Sequence, residues 1–170
     1  MAENPSLSVE GSLHSVNGEG VVRMECSIES DCDDVWSALT DPERLKNWYG
    51  RVEGDLRVGG EFTAFVLASE WDGRGRIDTC LPQRKLLVTM WEVEDAEHVV
   101  AVELIDDGGS TKLVLEVRGL PLDLVWAYGA GWQVHLEDLG AYLSGQENLN
   151  AATRWDELEP HYQSLTILPL

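Results

Sequence analysis

No run of eighteen apolar residues occurs in the 170-residue sequence, so no segment of it can cross a bilayer as a helix. Met1 to Ser8 has neither a basic stretch nor an apolar run, which predicts no secretory leader. Basic residues are scarce: 12 Lys and Arg stand against 31 Asp and Glu, a formal net charge of −19. That balance leaves no polybasic patch and excludes nucleic-acid backbones and anionic membrane surfaces as partners. In the plain reading the charge is a highly solvated surface; in the alternative the acidic field repels anionic ligands and favours neutral or cationic ones. Cysteine is also sparse. Cys26, Cys32 and Cys80 are odd in number and far apart, so neither a disulfide framework nor a C-x-x-C metal knuckle is indicated. His14, His98, His135 and His161 fall at no metal-ligand spacing, and no metal is expected. Asp72-Gly73-Arg74-Gly75-Arg76 lacks the full dinucleotide fingerprint and opens a strand, so turn chemistry explains it and no cofactor is implied. No serine sits in a nucleophile elbow. The expected address is a reducing cytoplasm.

What is present is a chain of ordinary apolar content, 44%, with an unusual aromatic balance of seven Trp against two Phe. Trp adds a flat rigid face and one N–H donor, which suits the wall of a cavity as well as a core. Glu10 to Glu29 alternates with period two around Asn17-Gly18, which predicts a β-hairpin. Asp31 to Leu39 then changes to a helical period, with acidic residues in the first turn and Val35, Ala38 and Leu39 on one stripe. Asp41-Pro42 caps and starts a second short helix carrying Leu45 and Trp48. Strands are predicted at 52–58, 61–68, 74–81, 85–93, 98–105 and 111–118, an antiparallel meander.

Leu122 to Leu143 is the only long helical pattern. Leu122, Val125, Trp126, Gly129, Trp132, Leu136, Leu139 and Leu143 line one face, while Asp123, Gln133, Glu137 and Asp138 are expected to fall away from it. Residues 1–9 are expected to form a loose tail, 10–145 the domain, and 146–170 an extension that packs back on it. In that extension a short helix over 151–158 is expected to break at Pro160.

Four stretches carry a family likeness: Val35 to Trp48, Val58-Gly59-Gly60-Glu61-Phe62, Pro82 to Trp91, and Gly131 to Leu139. In that order they resemble the SRPBCC superfamily (START-like, birch-pollen-allergen-like). Within it they look most like homologues of the activator of the ninety-kilodalton heat-shock protein's ATPase. The resemblance implies an α+β helix-grip fold: a curved antiparallel sheet of six or seven strands around the long C-terminal helix, with two short helices after the first strands and a cavity between sheet and helix. The superfamily includes lipid and polyketide binders, aromatase/cyclases, and members that sequester antibiotics in their producers.

The leading expectation is therefore a monomer or homodimer that binds a small apolar or polycyclic molecule, such as a lipid, a polyketide or another natural product. A polyketide cyclase or dehydratase using the same cavity is one alternative, and a co-chaperone-like activator of a heat-shock ATPase is another. The expected wall comprises Trp48, Phe65, Arg76, Met90, Trp91, Leu115, Trp126, Gly129 and Trp132, with His135 and Arg76 as candidates for acid/base chemistry. Gly129, Gly131 and Gly140 each cost a helix about 1 kcal/mol relative to alanine. Close packing offsets that in the plain reading, and room for a ligand in the sharper one.

Overall fold

A computed structural model describes residues 7–92, 97–148 and 151–170. The hairpin forms as β1 (Val9–Val16) and β2 (Glu19–Ile28), with Asn17 and Gly18 both at positive φ, as a tight Asn-Gly turn requires. Helices α1 (Cys32–Thr40) and α2 (Pro42–Leu45) follow. The Asp31 carboxylate accepts from the Asp34 N–H at 2.8 Å, and Asp41 accepts from Glu43 N–H at 3.0 Å. Strands β3 (Gly50–Gly54), β4 (Glu61–Val66), β5 (Asp72–Leu81), β6 (Lys85–Trp91), β7 (His98–Asp107) and β8 (Ser110–Leu120) make the meander. The predicted strand at 52–58 is shorter and earlier, and Val93, at the predicted end of its strand, lies outside the described residues.

A 3-10 turn at Leu122–Leu124 leads into α3 (Val125–Leu143), and α4 (Ala151–Ser164) and β9 (Ile167–Pro169) close the chain. The sheet has nine strands in the order β3-β4-β5-β6-β7-β8-β2-β1-β9, more than the six or seven implied by the resemblance. Every pairing is antiparallel except β9, which runs parallel to β1 with Leu13 opposite Ile167. The curved sheet and the long helix against it make the helix-grip fold.

Inward positions alternate along the central strands from Val22 to Ile28 and from Thr111 to Val117. On β2 they are Val22, Met24, Cys26 and Ile28, and on β8 they are Thr111, Leu113, Leu115 and Val117, all buried. The opposite face carries exposed ion pairs such as Arg23 with Glu116 at 2.6 Å, each contributing less than about 1 kcal/mol.

Two expectations about the C-terminal third fail. Gln133, Glu137 and Asp138 do not point away from the core; they are buried, because α4 covers that side of α3. Arg154 of α4 donates to both Glu137 oxygens at 2.6 and 2.8 Å, Gln133 donates to Glu137 at 3.1 Å, and Tyr162 donates to Gln133 at 2.5 Å. Gln133 and Glu137, which read as solvated, are thus joined to α4 in a buried hydrogen-bond network. Nor does Pro160 end its helix. Proline removes one intrahelical hydrogen bond, but buried Leu158 and Tyr162 dock α4 on either side of it, and the helix continues to Ser164. Near the N-terminus, Leu7 packs against the core and lies beside Gly140.

Candidate ligand chambers

The first short helices are fixed as a wedge before any cavity is considered. Trp48 donates its indole N–H to the Ala38 carbonyl at 2.9 Å. Arg44 reaches the Asp34 carboxylate at 2.9 Å and donates to the Tyr142 hydroxyl at 3.0 Å, so the wedge is tied to α3. Under it, between α3 and the inner faces of β4 to β7, lies a chamber of about 270 Å³. Its wall includes Trp36, Leu39, Trp48, Phe62, Ile77, Val88 and Val102, and none of its lining residues is exposed.

A second chamber of about 470 Å³ lies further along α3. It is walled by Trp71, His98, Tyr128, Gly131 and His135, and by Ala151, Ala152, Trp155 and Asp156 of α4. Ser69, Ala152 and Asp156 on its lining are exposed, so this is the outer chamber and the smaller one the inner. Tyr49, Met90 and Trp132 line both and form the partition. The outer volume falls within the range of small-molecule sites, and both walls are mainly apolar and aromatic.

Glycines on β5 seat the aromatic rings. A Cβ on Gly75 would come within 2.3 Å of the Phe62 ring, and one on Gly73 within 2.1 Å of the Trp71 ring. What reads as turn chemistry is a strand on whose bare backbone two wall rings lie. The three glycines of α3 divide. A Cβ on Gly129 would meet Tyr162 at 2.7 Å and one on Gly140 would meet Leu7 at 3.2 Å, so close packing explains both. A Cβ on Gly131 meets nothing within 4 Å, and Gly131 lines the outer chamber.

Residues 30–144 match the family model described as Activator of Hsp90 ATPase homolog 1-like protein. The chain belongs to that family. The SRPBCC-type assignment follows from it. Among solved structures, CalU16 from Micromonospora echinospora shares 25% identity at a TM-score of 0.78, over 93% of this chain and 98% of that one. DynU16, a protein in the dynemicin biosynthetic locus, shares 25% identity at a TM-score of 0.68, over 76% of this chain and 50% of that one. A conserved protein of unknown function from Enterococcus faecalis, 19% identical with a TM-score of 0.72 over 91% of this chain and 88% of that one, shares the fold. No curated protein sequence matches the chain.

On this Hsp90-activator-like scaffold, Trp48, Met90, Trp132 and His135 reach the chambers. The other expected wall residues do not line them. Phe65, Arg76 and Trp91 each neighbour an inward residue, respectively Val66, Ile77 and Met90, and so project from the other face of the sheet. The Arg51 guanidinium lies over the Phe65 ring at 5.6 Å, and Arg76 pairs with Asp78 at 2.8 Å. Leu115 is solid core, Gly129 is filled by Tyr162, and Trp126 braces Trp155 with ring centroids 5.9 Å apart. Phe62 and Ile77, an odd number of residues from Phe65 and Arg76 and so on the opposite face, are among the lining residues that sequence reasoning missed. The charged and polar partners Glu61 and Thr63, which share a face with Phe65, carried that signal.

His135 sits between the Tyr49 and Trp132 rings, with centroids at 5.4 and 5.3 Å, and its Nδ1 is buried with no hydrogen-bond partner among the described residues. Burial lowers its pKa from 6.5 to about 4. Between those values the unfolded chain binds a proton that the folded chain does not, so stability falls as pH drops from 6.5 towards 4. The full effect is about 3 kcal/mol. Burial also lowers His98, which adds a loss of the same sign. His135→Gln should flatten this part of the profile, as measured by urea unfolding at neutral pH and near pH 4.5; a variant as pH-sensitive as the parent would contradict it.

Proposed function

We propose that the protein binds a small apolar or polycyclic molecule, of the lipid or natural-product class, between the sheet and α3. The observation that carries this reading is the pair of adjoining chambers, about 470 and 270 Å³, walled by six aromatic side chains from the wedge, the sheet and α3: Trp36, Trp48, Tyr49, Phe62, Tyr128 and Trp132. A domain with no ligand to hold gains dispersion energy by filling such space. The likeness to DynU16, a protein in the dynemicin biosynthetic locus, supports a natural product as the cargo. Native mass spectrometry of the purified protein should reveal a co-purified small molecule or take one up from a panel of polycyclic compounds. Saturable quenching of the Trp fluorescence by the same panel should accompany it, and failure of every compound below the millimolar range would sink the reading.

A catalytic use of the same space is favoured by one observation, the neutral and unpartnered His135 in the outer wall. A neutral imidazole there can accept a proton from a bound chain that is being folded or dehydrated. Arg76, on the far face and paired with Asp78, drops out as its partner. Turnover of a linear polyketide that is lost in His135→Ala but kept in Arg76→Ala would establish this reading; equal turnover in both variants would end it. The ATPase-activation reading draws on the family description and gains nothing from the chambers.

A further inference from the structure

The two chambers differ in electrical character. Among the described residues the inner one has no formally charged side chain in its wall, and its only polar side chains besides the ring groups are Thr40 and Cys80. The outer one is lined by five aromatic side chains, Tyr49, Trp71, Tyr128, Trp132 and Trp155, and by the carboxylate of Asp156 at its exposed rim. No lysine or arginine lines either chamber among the described residues. Arg154, the nearest cation on α4, is taken up by Glu137 at 2.6 and 2.8 Å and by Glu157 at 2.9 Å. The imidazoles of His98 and His135 are held neutral near pH 7 by burial.

The rings also brace one another. His98 stands between Trp71 and Tyr128 with centroids 6.3 and 6.1 Å away, Trp155 leans on Trp126, and Trp132 and Tyr49 flank His135. Aromatic faces are the negative part of the ring quadrupole and attract a cation, most strongly where water is thinned out. Asp156 adds a full negative charge at the point where the chamber meets solvent. An anion placed in this chamber would find uncharged donors such as Ser69 but no cation to pair with, and would face Asp156 at the rim; a neutral group would leave the field unused.

We propose that the outer chamber recognises a cationic group, a protonated or quaternary amine, on a ligand whose uncharged polycyclic body fills the inner chamber. This deepens the binding reading above and rests on it. Passage of the body past Tyr49, Met90 and Trp132 joins the two spaces around one ligand.

The test uses three pyrene derivatives that differ only in one substituent, a trimethylammoniomethyl, a hydroxymethyl or a carboxylate group, titrated into the full-length protein by fluorescence. The ammonium compound should bind about tenfold more tightly than the alcohol, and the carboxylate most weakly. Asp156→Asn and Trp155→Ala should each close much of the gap between ammonium and alcohol. Asp123→Asn, which removes the same charge from an exposed position outside the chamber lining, should leave it open. Circular dichroism confirms that each variant is folded. Alcohol binding as tight as ammonium binding, or a gap closed equally by Asp123→Asn, would overturn the cation site and leave the cavity reading standing. If none of the three compounds binds, the cavity reading falls as well.

Discussion

Replacing Arg154 by alanine should cost the fold about 3 kcal/mol and free the C-terminal helix from α3. The Glu137 side chain is only 3% exposed, and Arg154 gives both of its oxygens a short charged hydrogen bond. Removing the guanidinium leaves a carboxylate in a site with little water, and the Gln133–Tyr162 part of the network loses its anchor. Urea denaturation measures the loss. Because breaking a buried pair is worse than deleting it, Glu137→Leu combined with Arg154→Leu should recover most of the stability. A single variant within about 0.5 kcal/mol of the parent would mean that Glu137 is solvated after all. The consequence reaches the binding site, since Trp155 and Asp156 sit on the same helix and wall the outer chamber. A looser α4 should therefore weaken any ligand as well.

Gly131→Leu should raise the melting temperature and abolish binding. An exposed or cavity-facing glycine in a helix costs about 1 kcal/mol relative to good helix formers, and nothing lies within 4 Å of the place a Cβ would take at this position. The leucine takes up outer-chamber volume, through which a ligand passes to reach the inner chamber, none of whose lining residues is exposed. Gly129→Ala, two residues earlier on the same helix, should do the reverse for stability, because its methyl group would lie 2.7 Å from the Tyr162 ring. Thermal unfolding and ligand titration of the two variants side by side read out both expectations. A Gly131→Leu protein that is destabilised, or that binds as the parent does, would show that no usable chamber lies there.

The contrast between these glycines shows how far the sequence could be read. Propensity alone marks Gly129, Gly131 and Gly140 as costly, but what offsets the cost depends on neighbours 33 or more positions away, Tyr162 for Gly129 and Leu7 for Gly140. The hairpin, the two capped helices and the long helix were legible because each depends on local chemistry: Asn17-Gly18, Asp31, Asp41-Pro42 and a three-and-four apolar spacing. The buried polar side of α3 was not. Gln133, Glu137 and Asp138 look solvated until α4 supplies Arg154 and Tyr162. Nor was β9, whose three residues have no pattern of their own and become a strand by pairing with β1.

Of the residues expected at the candidate site, Trp48, Trp132 and His135 from the wedge and the long helix line the chambers, and Trp132 is the one of them that helical spacing puts on the apolar face. On the strands the outcome turned on parity. Choosing Phe65 over Phe62, three residues away, and Arg76 over Ile77, one residue away, puts each choice on the other face of the sheet, because an odd displacement along a strand always swaps faces. Trp71 and Trp155 enter the wall from a loop and from the C-terminal extension, where no periodicity marks them.

The hollow beside α3 is most directly tested by calorimetric titration with an uncharged polycyclic alcohol at several temperatures. Uptake into that space predicts one saturable site with a negative heat-capacity change, absent in Gly131→Leu. A heat trace without saturation up to millimolar ligand, or an unchanged isotherm in the variant, would contradict it.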